Sequence, residues 1–301
     1  MSAPISVCFV TYRRDADLLH SIAKLLESDF QDFELLVVDN GCSPVLRNMM
    51  ERAHIRQPWK LVQAPANRGC ANLNLLFPLA KGEIVACFDD DSYPHPECLG
   101  RALEAFRENK SLGMIGFKMH VPETGEPWHD ELWNPDAEQP RDTAYCSGCG
   151  LAFRRDARLP EELCLPSILS QQHEMSMAAE VLRLGYKVQF RPECKAYHPQ
   201  TGGDSFPKAK FEMLKRNQMI FLGAYLPAES RRIVVLSYLL FIFRHRQWKS
   251  IDHLRAFLRE PKRTLSRAEA RAFHETALPH THRRLKKRMA RSLGVKERAS
   301  L

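Results

Sequence analysis

The chain has 301 residues, enough to bury a substantial core, and its apolar and charged fractions of 44% and 27% are ordinary for a soluble protein. No apolar run approaches the roughly 18 residues of a membrane-spanning helix, and the N-terminus lacks the basic start of a signal peptide. The net charge of +8 suits an anionic substrate or a membrane surface, but much of it comes from the C-terminal third. We therefore expect a cytoplasmic protein.

The nine cysteines do not indicate a disulfide framework. Most of them lie in apolar, strand-like segments, and reduced thiols are the usual state of cytosolic cysteines. Cys146 and Cys149 form the one C-x-x-C pair, and no second pair follows at metal-binding spacing. Small residues beside Gly148 and Gly150 account for this pair, so a zinc half-site is the weaker interpretation.

Short apolar segments alternate with amphipathic segments along the first 120 residues. Strands are predicted over 5–11, 33–38, 59–63, 84–89 and 112–117. Helices are predicted around 18–26, 45–56 and 97–109, and a further helix follows the loop at 66–69. This alternation predicts a parallel sheet with helices on both faces. The segments end in polar side chains, as in a nucleotide-binding cleft, at Thr11, Asp39, Asn67 and Asp89.

Beyond residue 120 the pattern is less regular. Residues 120–143 lack periodicity and are predicted to form a long surface loop. A strand broken by two glycines is predicted over 144–153, and a helix over 171–184 that ends at Gly185. Two short strands follow, and the pattern is helical from residue 208 onward.

The most informative segment is 84–94, in which an apolar, strand-like run ends in three carboxylates. Adjacent carboxylates repel one another, so a fold rarely places three together without a cation. Alternation along an extended chain sends Asp89 and Asp91 to one side and Asp90 to the other. Mg²⁺ or Mn²⁺ fits such a pair and keeps positions open for a phosphate ligand. A solvated acidic turn is the alternative, and the triplet alone does not decide between the two.

Four segments together resemble the inverting glycosyltransferases of family 2, which have a GT-A fold. They occur in the family's order and spacing, at 10–13, 36–40, 66–69 with Asn72, and 88–91. Weaker similarities follow at 147–155 and 173–186, and 215–217 resembles the Arg-Asn step of bacterial rhamnosyl- and galactofuranosyl-transferase-like members. The resemblance implies an α/β fold with a Rossmann-like, mostly parallel central sheet flanked by helices.

The resemblance also implies a division of the chain. We expect a GT-A domain over 1–225, with a nucleotide-binding half over 1–100 and an acceptor half over 101–225. A helical extension with a basic tail is expected over 226–301. Its apolar run at 234–243, flanked by Arg and Lys, suits a core helix or a helix lying on the inner membrane face. The core helix is the preferred interpretation, and flotation with anionic liposomes separates the two.

In this resemblance the donor is a nucleotide-diphosphate sugar, with UDP- and dTDP-sugars favoured. Asp39 accepts a hydrogen bond from the pyrimidine ring N–H, with Thr11 and Arg13 along the same edge. A turn or helix-cap role is the alternative for Asp39. The further residues expected at the nucleotide are Tyr12, Asn67, Arg68, Gly69, Asn72, Asp89 and Asp90.

A divalent cation, Mg²⁺ or Mn²⁺, is expected to neutralise the leaving diphosphate. The resemblance implies that Asp91 binds this ion. Asp89 is expected to face the ribose and the sugar of the donor and to be a ligand of the same ion. His198 resembles the family's additional contact to the metal or the diphosphate. A structural histidine is the alternative for His198.

Inverting transfer also needs a base that takes the proton of the acceptor hydroxyl. The family's acidic pair reads His173-Glu174 in this chain, so the base role falls to Glu174. Because His173 replaces the first acid of the family's pair, the identity of the acceptor stays open. The alternative for Glu174 is an acid in the first turn of a helix that is exposed to solvent. Residues suited to bind an acceptor are Gln171, Gln172, Trp128, Trp133 and Tyr145.

The predicted function is therefore metal-dependent, inverting sugar transfer to a hydroxyl acceptor in bacterial glycan or glycoconjugate synthesis. The acceptor is expected to be a glycan, a lipid-linked intermediate or a small molecule. A nucleotidyltransferase is one alternative, but it should carry a glycine-rich loop after the first strand, and 11–15 has no glycine. A nucleic-acid-binding module is another, but the basic tail lacks interleaved aromatic residues, so no nucleic-acid partner is expected.

Overall fold

The computed structural model describes residues 3–128, 138–199, 208–245 and 251–276. The chain divides into two compact units, Met1–Thr201 and Gly202–Leu301. The first unit is a mixed α/β unit, and the described part of the second is helical. The domain boundary at residue 225 stays a prediction.

One sheet organises the first unit. Its nine strands within the described residues are β1 Ile5–Thr11, β2 Phe33–Asp39, β3 Trp59–Gln63, β4 Ile84–Asp89, β5 Tyr93–Pro94, β6 Leu112–His120, β7 Arg141–Asp142, β8 Gly150–Arg154 and β9 Lys187–Tyr197. The strand order is β3-β2-β1-β4-β8-β6-β9-β5, and β7 also pairs with β9. Strands β1 to β4 pair in parallel, whereas β8 runs antiparallel to both β4 and β6.

Helices flank this sheet and form most of the described part of the second unit. The first unit contains α1 Asp15–Leu25, α2 Leu46–Arg52, α3 Cys98–Glu108 and α4 His173–Arg183. The second unit contains α5 Lys208–Tyr225, α6 Ala228–His245, α7 Ile251–Arg259 and α8 Arg267–Thr276. The helix predicted after residue 69 forms instead as two short 3₁₀ helices, Gly69–Leu75 and Phe77–Leu79. Pro78 lacks an N–H group, so an α-helix does not continue through it.

Two strand predictions are wrong. Residues 144–149 form no strand, because the chain turns at Gly148 and Cys149 before β8 begins at Gly150. The two short strands predicted after residue 187 are one strand, β9, whose register against β6 shifts between Phe117 and Lys118. Pro192 lies in the shifted part of β9, where a proline is tolerated because no ladder hydrogen bond from its nitrogen is required.

The core surrounds the parallel strands. All residues of β1 and β2 are buried, as expected for strands covered on both faces. Phe88 of β4 is 1% exposed, and its ring centroid lies 5.8 Å from that of Phe9 and 5.7 Å from that of Phe117. This aromatic cluster fixes the strand position immediately before Asp89.

The second unit has its own apolar contacts. Phe221 packs against Tyr225 and Phe273, with ring centroids 5.0 and 4.9 Å apart. On α6, Val234 and Ile242 are buried, whereas three apolar side chains are exposed: Leu236, Leu240 and Phe243. Over the four described ranges, no helix combines the length and the apolar character needed to cross a bilayer. Trp133 and the basic tail at 282–289 lie outside the described residues.

We predict that Phe88→Ala destabilises the first unit by about 3–5 kcal/mol, because it leaves a cavity between two aromatic rings. Urea unfolding monitored by fluorescence measures the change. Leu75→Ala is the control, since Leu75 is 37% exposed and should cost far less. Equal midpoints for Phe88→Ala and the parent protein would contradict the assigned core.

Candidate functional site

The ends of three parallel strands meet at one edge of the sheet. Thr11 pairs in register with Asp39, and Val10 pairs with Asp89. The backbone N–H of Asn40 donates to the carbonyl of Thr11 at 2.9 Å, which ties the chain leaving β2 to the end of β1. The polar residues predicted to follow these strands therefore lie side by side.

Arg14 holds two of the three adjacent carboxylates. Its Nη1 donates to Asp90 Oδ1 and to Asp91 Oδ2, each at 2.9 Å. The predicted separation of Asp90 from Asp91 is therefore wrong, whereas Asp89 and Asp91 both lie beside His198. Strand β4 ends at Asp89, and the following turn brings Asp90 and Asp91 to the same guanidinium.

Asp90 is the most enclosed member of the triplet. Thr11 Oγ1 donates to its Oδ2 at 2.9 Å, and the side chain of Ser21 donates to its carbonyl. Burial raises the pKa of Asp90 to about 6, while Arg14 and Thr11 act in the opposite direction. Asp90 and Thr11, both predicted to contact the nucleotide, thus bond to each other inside the protein.

The three residues predicted to hold a cation lie together. Asp91 Oδ1 is 3.4 Å from His198 Nε2. Ligand atoms of Asp89, His198 and Cys149 all lie within 4.8 Å of one another. Carboxylate oxygen, imidazole nitrogen and thiolate sulfur are all ligands of divalent transition metals, so of the two ions implied by the resemblance this donor set fits Mn²⁺ better than Mg²⁺.

Asp39 holds the turn beside a cleft at the ends of β1 and β2. Both oxygens of Asp39 accept backbone hydrogen bonds, from Gly41 at 2.7 Å and Ser43 at 2.6 Å. Asp39 therefore shapes the turn, as its alternative interpretation expected. The cleft has a volume of about 380 Å³ and is lined by Arg13, Asp15, Gly41, Ser43 and Pro44.

Two residues of the cleft lining, Arg13 and Asp15, have further contacts. Arg13 has a φ of 57°, and its guanidinium stacks 5.1 Å from the ring centroid of the exposed Tyr12. Asp15 accepts a hydrogen bond from Ser43 Oγ through Oδ2, while its buried Oδ1 has no hydrogen-bond partner in the described part of the chain. The cleft lining thus contains a cationic group and a carboxylate.

The loop at 66–72 is fastened to the end of β2. Asn72 Nδ2 donates to Asn40 Oδ1 at 2.5 Å and to the carbonyl of Ala66 at 2.8 Å. Asn40 Nδ2 donates to the carbonyl of Gly69. Asn72, which is 5% exposed, therefore holds the loop against the end of β2 through hydrogen bonds.

Gly69 has a conformational requirement as well. Its φ is +54°, and an added Cβ would overlap the backbone carbonyl of Leu169. Asn67 Oδ1 accepts from its N–H at 2.9 Å, and Asn67 and Arg68 are exposed. Gly69 therefore serves a turn and a close approach, while Arg68 remains accessible to a ligand.

Glu174 lies in the first turn of α4 and is 2% exposed, so it is not a solvated acid. His173 Nδ1 lies 3.2 Å from Glu174 Oε2. A Cβ on Gly148 would lie 2.7 Å from His173 Cε1 and 3.1 Å from Glu174 Oε2, so only glycine fits there. Because Cys149 follows Gly148, this places Glu174 close to the cation ligands. Burial lowers the pKa of His173, with the Asp89 charge acting in the opposite direction.

The backbone before α4 is strained. Gln171 and Gln172 both have a positive φ, of 58° and 64°. Residues other than glycine rarely adopt this backbone conformation, and where they do they are concentrated at functional sites. Gln172 is 2% exposed, and within the described residues neither its amide nitrogen nor its amide oxygen has a hydrogen-bond partner.

Sequence reasoning missed three residues of the site. Arg14 and Asp15 lie where β1 gives way to α1 and match no motif of the resemblance, and the interpretation of Cys146 and Cys149 as small residues assigns Cys149 no chemical role. Three adjacent carboxylates need a cationic partner, and a guanidinium three positions after Thr11 was the available signal for Arg14. No local pattern identifies Cys149, since its place depends on the antiparallel pairing of Phe88 with Gly150.

Comparison with known proteins gives one curated relative and several structures. An uncharacterized glycosyltransferase, alr2836, of Nostoc sp. is 30% identical over 114 residues, which cover 37% of this chain and 35% of the relative. The chain thus spans about a third of the length of the curated relative it matches. A mannosyltransferase of Pyrobaculum calidifontis, solved with GDP-Man and Mn²⁺, is similar with a TM-score of 0.51 and 19% identity, over 74% of this chain and 63% of the other.

A second structure agrees with the first in fold. TarS 1-349 of S. aureus, solved with UDP-GlcNAc, is similar with a TM-score of 0.55 and 18% identity, over 74% of this chain and 66% of the other. These similarities confirm the predicted GT-A fold. The sequence profile described as Glycosyl transferase family 2 matches residues 6–158, half of the chain. The chain therefore belongs to glycosyl transferase family 2.

Proposed function

We propose that the protein transfers a sugar from a nucleotide-diphosphate donor to a hydroxyl acceptor, with inversion and with the help of a divalent cation. The observation that supports this most strongly is the meeting of Asp89, Asp91 and His198 at one sheet edge, beside a cleft at the ends of β1 and β2. In a member of glycosyl transferase family 2, this combination suits a nucleotide whose diphosphate binds at the acids and whose nucleobase binds in the cleft. The family match favours sugar transfer over the nucleotidyltransferase alternative.

The donor is proposed to be a UDP- or dTDP-sugar. One similar structure binds GDP-Man and another UDP-GlcNAc, so the fold accommodates both classes of base. In this chain the cleft offers Arg13 and Asp15, together with the turn held by Asp39. Asp39 keeps its proposed role as acceptor for the ring N–H, since a carboxylate oxygen can accept more than one hydrogen bond.

The diphosphate is proposed to lie at the cation ligands. Asp91 offers Oδ1, because its Oδ2 already accepts from Arg14. When bound, the divalent ion neutralises charge on the leaving diphosphate. The exposed Arg68 adds a positive charge from the loop at 66–72.

Glu174 is proposed as the base. It takes the proton of the acceptor hydroxyl while that oxygen forms a bond to the anomeric carbon and the bond to the diphosphate oxygen breaks. The product has inverted configuration because attack and departure occur on opposite faces. Burial of Glu174 beside His173 keeps competing water away from the carboxylate.

The acceptor is proposed to be a glycan, a lipid-linked intermediate or a small molecule of bacterial glycan or glycoconjugate synthesis. Gln172 is suited to bind one of its hydroxyls, because its buried amide has no partner among the described residues. Membership of the rhamnosyl- or galactofuranosyl-transferase-like group stays a prediction. So does a peripheral membrane contact of α6, which liposome flotation tests.

A thermal-shift panel tests the proposed function. UDP, dTDP, GDP and ADP are each added with Mn²⁺ or with a chelator. We expect Tm to rise with UDP or dTDP only when Mn²⁺ is present, since a ligand that binds only the native state raises stability by mass action. A Tm that no nucleoside diphosphate changes in the presence of Mn²⁺ would contradict the proposal.

Replacement of Glu174 by Gln removes the base and keeps the shape of the side chain. We predict that turnover falls by about 100- to 10,000-fold while donor binding is unchanged. Sugar transfer and calorimetric donor titration are measured together. Glu180→Gln is the control, because Glu180 is also buried on α4 but bonds to Arg183. Retained turnover in Glu174→Gln would place the base elsewhere.

Replacement of Asp39 by Asn tests recognition of the donor's nucleobase. We predict that UDP binds about tenfold more weakly, since a hydrogen bond to a charged group is lost, while inorganic pyrophosphate binds as before. Both ligands are titrated in Mn²⁺ after the fold of the variant is checked by circular dichroism. Equal losses for UDP and pyrophosphate would instead indicate that Asp39 acts only through the turn it holds.

A further inference from the structure

We infer that Cys149 is a ligand of the cation, so that the site takes a divalent transition-metal ion such as Co²⁺, Zn²⁺ or Mn²⁺ in preference to Mg²⁺. The inference rests on the proposed function only in assigning the ion to the acids at the end of β4. It adds a sulfur ligand and a metal preference specific to this chain.

The geometry brings three different donor atoms to one point. A carboxylate oxygen of Asp89, the sulfur of Cys149 and a ring nitrogen of His198 lie within 4.8 Å of one another. Ligands at about 2.0–2.3 Å from a tetrahedral ion are about 3.5 Å apart, so small side-chain movements complete such a site.

The positions of these residues come from separate elements of the sheet. Phe88 pairs with Gly150 in the antiparallel ladder of β4 and β8, so Cys149 lies next to Asp89. Ser92 Oγ donates to the carbonyl of Cys149 at 2.6 Å and accepts from the N–H of Asp89 at 2.8 Å. The backbone of both ligands is therefore held in place by the protein itself.

His198 provides an independent observation. It is 8% exposed, and its Nδ1 is buried without a hydrogen-bond partner in the part of the chain that the structure describes. Its Nε2 lies 3.4 Å from Asp91 Oδ1. The ring therefore lies against a carboxylate of the acidic triplet, where an ion bound between the strand ends would use it as a ligand.

The chemistry of the donors sets the metal preference. Mg²⁺ requires oxygen ligands in near-octahedral geometry, and a thiolate is a poor substitute for one. Sulfur and imidazole ligands favour Zn²⁺ and Co²⁺, and to a smaller degree Mn²⁺, over Mg²⁺. Arg14 strengthens this preference, because it occupies Asp91 Oδ2 and leaves fewer carboxylate oxygens for a hard ion.

Cobalt binding without nucleotide tests the inference. The purified protein is titrated with Co²⁺, and the near-ultraviolet thiolate-to-cobalt charge-transfer absorption is recorded. We expect this absorption at one ion per chain in the parent protein and in the control Cys42→Ser, whose replaced thiol is exposed. In Cys149→Ser we expect the absorption to vanish and Co²⁺ to bind about tenfold or more weakly.

A second measurement does not depend on a variant. Cys149 is half-buried, so a small maleimide is expected to label it slowly, and one equivalent of Mn²⁺ is expected to slow this labelling in the parent protein. Labelled peptides are quantified by mass spectrometry, with Cys42 as the internal reference.

The outcomes separate the inference from the proposed function. Failure of Co²⁺ to bind, binding without charge-transfer absorption, absorption that survives in Cys149→Ser, or labelling unaffected by Mn²⁺ would each overturn the inference. None of these results removes sugar transfer. Conversely, cobalt–thiolate absorption in a protein that binds no nucleoside diphosphate would support the inference and contradict the proposed function.

Discussion

The guanidinium of Arg14 is the interaction on which the site depends. Three consecutive carboxylates at the end of a buried strand repel one another, and Asp90 has little access to water. Arg14 donates from one nitrogen to Asp90 and Asp91, and Thr11 donates to Asp90 from the adjacent strand. The protein thus stabilises two charges itself and leaves Asp91 Oδ1 and Asp89 facing His198 and Cys149.

The antiparallel pairing of β8 with β4 brings further side chains to the site. Strands β1, β2 and β4 run in parallel and bring Thr11, Asp39 and Asp89 to one edge. Because β8 is antiparallel to β4, its start, and therefore Cys149, lies where β4 ends. Gly148 then allows α4 to bring Glu174 against the same turn. A purely parallel sheet would place none of these later groups beside the acids.

The sequence predicted the parallel half of the fold closely, because a strand buried on both faces is a continuous apolar run. The bounds of β1 and β3 agree with those predicted, and so does the helix stop at Gly185, whose φ is +82°. The antiparallel half was less predictable, since pairing between distant segments leaves no local periodicity. The site residues differ in predictability for the same reason. Asp89, Asp91 and His198 were predicted from family-like motifs. Arg14 and Cys149 were not, because their roles depend on contacts across the sheet.

The central claim is that the acids at the end of β4 hold a cation that in turn holds the donor diphosphate. Anomalous diffraction from crystals grown with Mn²⁺ and UDP tests it most directly. The account predicts one manganese peak in contact with Asp91, His198 and the diphosphate oxygens. A manganese ion located away from the acidic triplet, or a diphosphate bound far from Asp89 and Asp91, would contradict it.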